Sequence, residues 1–183
     1  MRVIAGEFRS RRLKSIAGLA TRPTPDRLRK TLFDILAPRI EGATFLDGYA
    51  GTGAVGIEAL SRGARHAFFL ERSRGAIEVI RENLESLDLE SRATVVTGPV
   101  LLTLSRYPAD IVFLDPPYQL EREYTAVLDA LVEIRPALAV IQHSTHRALP
   151  DSHANVRLIR IVKQGDNVLS FYEVGQPRSA RPL

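Results

Sequence analysis

From Ala43 onward the chain switches repeatedly between two hydrophobic periods. Short runs rich in β-branched and aromatic residues, at 44–47, 67–71, 93–97, 111–114 and 138–142, read as buried strands. Between them apolar residues recur at helical spacing. Val55, Ile57, Ala59 and Leu60 do so in 51–62, and Ile77, Ile80, Leu84 and Leu87 in 74–87. A short helix is expected at 100–106, and Tyr124, Val127, Leu128 and Leu131 form an inward stripe in 123–134. Two further strands, 156–162 and 167–174, are joined at Lys163-Gln164-Gly165-Asp166, which reads as a hairpin turn. Such alternation closing on a hairpin predicts an α/β fold. Its sheet is mostly parallel, with helices on both faces and one antiparallel strand.

Ahead of Ala43 the pattern differs. Residues 1–14 read as two short strands, Val3-Ile4-Ala5 and another around Leu13, linked through Gly6-Glu7-Phe8-Arg9-Ser10. Residues 15–22 read as an exposed loop. Thr24 as N-cap and Pro25 in the first turn then open a helix carrying Leu28, Leu32, Phe33, Ile35 and Leu36. Pro38 is expected to stop it near Ala37. At the other end, 176–183 reads as a frayed tail.

A length of 183 residues suits one core with a small appendage, divided as a basic extension over 1–39 and a core over 40–183. The charge supports that division. Residues 1–39 carry ten basic and three acidic side chains, whereas the remainder carries fifteen basic and eighteen acidic. A basic head on a mildly acidic body suggests a polyanion engaged at one end. Arg9, Arg11, Arg12, Arg22, Arg27 and Arg29 are the candidate phosphate contacts, against the plainer reading of a solvated basic face. Phe8 among them serves either as a stacking ring or as a core anchor. There is no cysteine, which excludes disulfides, thiolate metal sites and a cysteine nucleophile. The four histidines are scattered, and no metal site is expected. No apolar run reaches spanning length and no signal-peptide pattern opens the chain, so a cytoplasmic location is expected; a monomer is expected as well, although no sequence pattern fixes the oligomeric state.

The stretch richest in chemistry is Asp115-Pro116-Pro117-Tyr118, directly after the 111–114 strand. Two prolines there end the ladder at a rigid corner, with a carboxylate at the strand tip and an aromatic ring just beyond. An exocyclic amino group is a poor nucleophile because its lone pair is delocalised into the ring. The Asp115 carboxylate and the Pro116 carbonyl can accept its protons and favour the developing positive charge, while Tyr118 stacks on the base. This corner resembles motif IV of the amino-methyltransferases, which act on adenine N6, guanine N2, cytosine N4 or glutamine amides.

A glycine loop, Asp47-Gly48-Tyr49-Ala50-Gly51-Thr52-Gly53-Ala54-Val55-Gly56, follows the first core strand. Glu71 ends the next strand about 20 residues later, where an acid that holds ribose hydroxyls is expected. The spacing Gly51-x-Gly53-x-x-Gly56 also fits a nicotinamide dinucleotide. Two features favour S-adenosylmethionine instead. Asp47 stands ahead of the glycines, where a carboxylate repels pyrophosphate but accepts from a methionine ammonium. The Asp115 corner lies beside the same pocket.

With these residues assembled, the chain resembles class I methyltransferases, and most closely the RsmD family, which methylates guanine N2 in 16S ribosomal RNA. The resemblance spans nearly the whole chain. It rests on Arg2-Val3-Ile4-Ala5-Gly6 with Leu13, on Arg22-Pro23-Thr24-x-Asp26-Arg27-x-Arg29, and on the glycine loop continued through Glu58-Ala59-x-Ser61-Arg62-Gly63-Ala64. Asp115-Pro116-Pro117-Tyr118 completes it. The resemblance implies a Rossmann-like sheet of order 3-2-1-4-5-7-6 with strand 7 antiparallel, and a basic N-terminal hairpin and helix that grip RNA. It implies S-adenosylmethionine as cofactor, with Asp47, Gly51 and Gly53 at its methionine end and Glu71 on its ribose. It also implies that Asp115, Pro116 and Tyr118 hold the target base, with ribosomal RNA or the small ribosomal subunit as partner. The chain departs from the family at Lys30, where relatives carry glutamate. It departs again at Thr97-Gly98-Pro99-Val100, which leaves a backbone carbonyl or Thr97 to meet the adenine amino group. Three rival functions stay open on sequence: an amino-methyltransferase on adenine or on a protein glutamine, a dinucleotide oxidoreductase, and a non-catalytic RNA-binding assembly factor of the same fold.

Overall fold

A computed structural model describes residues 1–15, 25–117 and 121–175. The Thr24 cap, Arg22, Tyr118, most of the 15–22 loop and the 176–183 tail lie outside the described residues.

The core strands are β1 (Thr44–Gly48), β2 (His66–Glu71), β3 (Ala93–Thr97), β4 (Ile111–Leu114), β5 (Leu138–Ser144), β6 (Ser152–His153), β7 (Val156–Gln164) and β8 (Asn167–Val174). They form one sheet in the order β3-β2-β1-β4-β5-β8-β7-β6. The first five are parallel, and β8 returns antiparallel between β5 and β7. This is the expected order with one addition. Two-residue β6, outside β7, was not anticipated. Ala154, at φ 51°, turns the chain from β6 into β7, and Asn155 Nδ2 ties that turn to the Gly175 carbonyl just past β8.

Among the described residues, five α-helices cover the sheet: α1 (Asp26–Ile40), α2 (Ala54–Ser61), α3 (Arg74–Glu85), α4 (Val100–Thr103) and α5 (Glu121–Ile134). Strand alternation sorts the core into two layers. Phe45, Phe69, Phe113, Val140 and Phe171 pack with α1, α2 and α3. Leu46, Val112, Leu114, Ile141 and Tyr172 pack with α4 and α5.

Three local expectations are corrected. α1 runs through Pro38 to Ile40. A proline so near the end forfeits only the bond to the Asp34 carbonyl, and buried Ile40 holds the last turn in place. α2 begins at Ala54, because Gly51 and Gly53 hold φ 56° and 77°, outside the α-helical region. The N-terminal strands reduce to a single bridge, Arg2 to Arg12. Val3 N–H donates to the Arg11 carbonyl, Ser10 N–H to the Val3 carbonyl and Leu13 N–H to the Met1 carbonyl, and the turn between them bonds to α2. Ile4 and Ala5 N–H donate to the two carboxylate oxygens of buried Glu58 (2.7 and 3.0 Å), Glu7 N–H to the Ser61 carbonyl, and Phe8 N–H to Ser61 Oγ. Phe8 packs against the main core cluster, so it is an anchor.

Candidate functional site

In the parallel part of the sheet, strand order reverses between β1 and β4. Ligands of open α/β sheets bind at such a switch, outside the carboxyl ends of the strands. Both motifs arrive there. β1 and β4 are paired, with Gly48 opposite Leu114, and Asp115 N–H donates to the Gly48 carbonyl at 3.3 Å. The glycine loop and the Asp-Pro-Pro corner therefore leave the sheet side by side.

Asp47 is 1% exposed, and its Oδ2 accepts from Gly56 N–H at 2.8 Å. The first turn of α2 thus bends back onto the strand that precedes it. Gly56 makes this possible, since a Cβ there would lie 2.3 Å from Cε1 of the Phe69 ring. Above Gly51, by contrast, a Cβ would meet nothing within 4 Å. The loop is tight toward the sheet and open toward the ligand face.

The electrostatics distinguish this edge. Burial holds the Asp47 carboxyl well above its ordinary value, and the neighbouring charges of Asp115 and Glu71 push it further. Burial likewise raises Asp115, to about 7. Two acids that resist ionisation, set close together, make a site where a positively charged ligand would favour their ionised forms.

Glu71 stands beside Gly51, but its carboxylate already has local work. Oε2 accepts from Gly51 N–H (2.9 Å), and Oε1 accepts from the N–H groups of Arg72 and Ser73 (2.8 and 2.9 Å). It ties the end of β2 to the glycine loop. Thr97 is its register partner on β3 and is exposed, as is Pro99.

Pro116 is buried, and its carbonyl accepts from the hydroxyl of Tyr124 on α5 at 3.1 Å. The guanidinium of Arg147, just past β5, lies 4.5 Å from the centre of the Tyr124 ring. Tyr49, held at φ 64° in the glycine loop, donates to Glu123 Oε1 at 2.6 Å. Burial and that bond keep its phenol protonated. Adjacent residues of α5 therefore hold both loops, Glu123 the glycine loop and Tyr124 the proline corner. Sequence reasoning treated Tyr124 only as a packing residue and passed over Tyr49 and Glu123. The signal was available, because a buried tyrosine hydroxyl requires a partner.

The candidate RNA contacts divide. Arg9, Arg11, Arg12 and Arg27 are exposed, and Arg11 Nη2 also donates to the Ser86 carbonyl. Arg29 must be corrected, because it is 0% exposed. Its Nη2 donates to the Arg2 carbonyl (2.6 Å) and to Asp26 Oδ1 (3.0 Å), and its Nε lies 3.9 Å from Glu58 Oε2. It pins α1 to the N-terminal segment and to α2, so it does not face outward. A separate hollow lined by Ala137, Asn155, Arg157 and Glu173 lies where β5 starts and β8 ends, at the opposite edge from the two loops.

A parallel 3-2-1-4-5 sheet with an antiparallel strand returning beside β5, and with a glycine loop and a proline corner at its switch point, is the class I methyltransferase fold. The chain belongs to the family described as conserved hypothetical protein 95, which matches residues 1–173. It is 35% identical over 178 residues to ribosomal RNA small subunit methyltransferase D of Escherichia coli (strain K12), covering 94% of this chain and 89% of that one. The solved structure of yhhF from Escherichia coli superposes with a TM-score of 0.83 at 34% identity, over 95% of this chain and 97% of that one. At 15% identity the fold is still shared with an RNA methyltransferase from Salinibacter ruber solved with S-adenosyl-L-homocysteine (TM-score 0.67, covering 84% and 94%).

Proposed function

We propose that this protein transfers a methyl group from S-adenosylmethionine to the exocyclic N2 amino group of a guanine in small-subunit (16S) ribosomal RNA. The carrying observation is the meeting of two hard-to-ionise carboxyls, buried Asp47 and partly buried Asp115, beside a glycine loop with open space above Gly51. A cationic ligand relieves their cost. A pyrophosphate increases it, which weighs against a dinucleotide.

The residues present fit S-adenosylmethionine. Asp47 would take the ammonium, directly or through water, Gly51 and Gly53 would admit the methionine end, Glu71 would hold ribose, and Thr97 or a nearby backbone carbonyl would meet the adenine. When bound, the cofactor supplies an electrophilic methyl on a positive sulfonium. The chain supplies position and field. The Asp115 carboxylate accepts one amino proton and the second lone pair of the Pro116 carbonyl accepts the other, the first being taken by Tyr124. The guanine lone pair is thereby localised toward the methyl. Asp115, or water, would take the surplus proton of the methylated amine. Tyr118 stacks on the base, which must be unpaired or extruded to reach the site.

In this assignment residues 1–39 are the RNA-gripping extension and 40–183 the catalytic core. Arg9, Arg11, Arg12, Arg22 and Arg27 meet phosphates. The protein acts as a monomer in the cytoplasm, on ribosomal RNA or an assembling subunit. Among the described residues no helix is long and apolar enough to cross a membrane. Asp115→Ala tests the assignment: methylation of small-subunit RNA should vanish while S-adenosylhomocysteine still binds. Undiminished methylation by that variant refutes it.

A further inference from the structure

Asn83 is a polar side chain buried in the apolar stripe of α3, at 1% exposure. Its carboxamide is used from both ends. Oδ1 accepts from Lys14 N–H at 2.7 Å, and Nδ2 donates to the Lys14 carbonyl (3.2 Å) and to the Thr52 carbonyl (3.1 Å). Lys14 closes the N-terminal arginine segment. Thr52 lies between the two glycines of the cofactor loop. One rigid amide group therefore grips the backbone of both.

We infer that Asn83 is a positioning residue that couples the N-terminal RNA-engaging segment to the S-adenosylmethionine loop, so that RNA and cofactor each strengthen the binding of the other. This rests on the function proposed above and adds a regulation to it. The physical basis is a shared donor group. Lys14 engages both ends of the carboxamide and so fixes its plane; with the plane fixed, Nδ2 stays aimed at Thr52. If the segment lifts from α3, the amide turns freely and Thr52 loses its hold. Phosphate contacts at Arg9, Arg11 and Arg12 add to the hold that Glu58, Ser61 and Ser86 already have on residues 1–15, and so further order the loop before cofactor arrives. Ordering supplied by one ligand need not be supplied again by the second, which is positive cooperativity without a change of fold. By linkage the effect is reciprocal.

The chemistry is specific to asparagine. Aspartate keeps the acceptor for Lys14 N–H but sets a second oxygen against two carbonyls. Leucine keeps the volume and removes every bond.

The test is titration calorimetry of S-adenosylhomocysteine, alone and with saturating small-subunit RNA, given as a 16S transcript and as purified unmethylated subunits. The wild type should bind S-adenosylhomocysteine about tenfold tighter with RNA present, within the usual range of couplings between sites. In Asn83→Asp and Asn83→Leu that factor should fall to about one, with both ligands still bound separately. Merely local anchoring of the loop predicts weaker S-adenosylhomocysteine binding with an unchanged factor, and that result overturns the coupling. A wild type whose affinity ignores RNA overturns it as well. If neither form of RNA binds, the proposed function itself fails, which is a distinguishable outcome. Should both variants unfold, amide exchange on the wild type decides. RNA alone should slow exchange at Gly51–Gly56, and protection confined to residues 1–15 refutes the coupling.

Discussion

Replacing Asp115 by asparagine should stabilise the protein above neutral pH while damaging its chemistry. Burial raises the Asp115 carboxyl from an ordinary 3.8 to about 7. Below the ordinary value the group is protonated in folded and unfolded chains alike and costs nothing. Between the two values the unfolded chain has released the proton and the folded chain has not, so stability falls as pH rises. Above about 7 both are ionised and the loss is complete. A gap of about 3 units at ~1.4 kcal/mol each bounds it at about 4 kcal/mol. The edge of Asp115 meets solvent, so a loss of roughly 1–3 kcal/mol is the realistic range. Asparagine has the same shape and never ionises. Urea unfolding of cofactor-free wild type and Asp115→Asn, from pH 4 to pH 8.5, should give curves that meet at the acid end. They should separate steadily to a plateau, with the variant more stable. The Asp115 charge also pushes Asp47 upward, so the difference between curves reports Asp115 together with its coupling to Asp47. A separation independent of pH, or a variant less stable at pH 8, refutes the reasoning. The same variant keeps an oxygen acceptor but no negative charge, so turnover should fall without vanishing.

Three further outcomes are expected. Tyr49→Phe breaks the 2.6 Å bond to Glu123 that ties the cofactor loop to α5; steady-state kinetics should show kcat reduced up to about tenfold, ~1.4 kcal/mol, with little change in cofactor affinity. Gly56→Ala drives a methyl to 2.3 Å from the Phe69 ring, so denaturant unfolding should register a loss of about 1–3 kcal/mol and calorimetry a weakened cofactor site. Glu58→Ala removes the acceptor of two N-terminal amides and a partner of buried Arg29; it should cost about 3–5 kcal/mol, and limited proteolysis should cut first within residues 1–15.

Much of this architecture was legible because its signals are local. The run from Ile111 to Leu114 ended by two prolines could only be a buried strand stopped at a corner, and so it is. The glycine loop, Glu71 and Thr97 fall at the carboxyl edge where strand periodicity put them. What misled was charge counted without phase. Arg29 was grouped with exposed arginines, yet it shares one stripe with Phe33, Leu36 and Ile40, at helical spacings of four, seven and eleven. Asn83 sits similarly between Ile80 and Leu84 on the inner face of α3. A polar residue in phase with an apolar stripe must be buried, and a buried polar residue must be bonded. The identity of its partners, Arg2 and Glu58 in one case, Lys14 and Thr52 in the other, depends on contacts between distant segments that no local pattern carries. The extension of α1 past Pro38 has the same origin, since the burial of Ile40 is a tertiary fact.

The most direct test is to incubate the purified protein with isotopically labelled S-adenosylmethionine and unmethylated small ribosomal subunits, then to digest the RNA and identify the labelled nucleoside by mass spectrometry. Label in N2-methylguanosine at a single position, absent with Asp115→Ala, is the expected result. Label in methylated adenosine or in protein, or no label transferred at all, contradicts it.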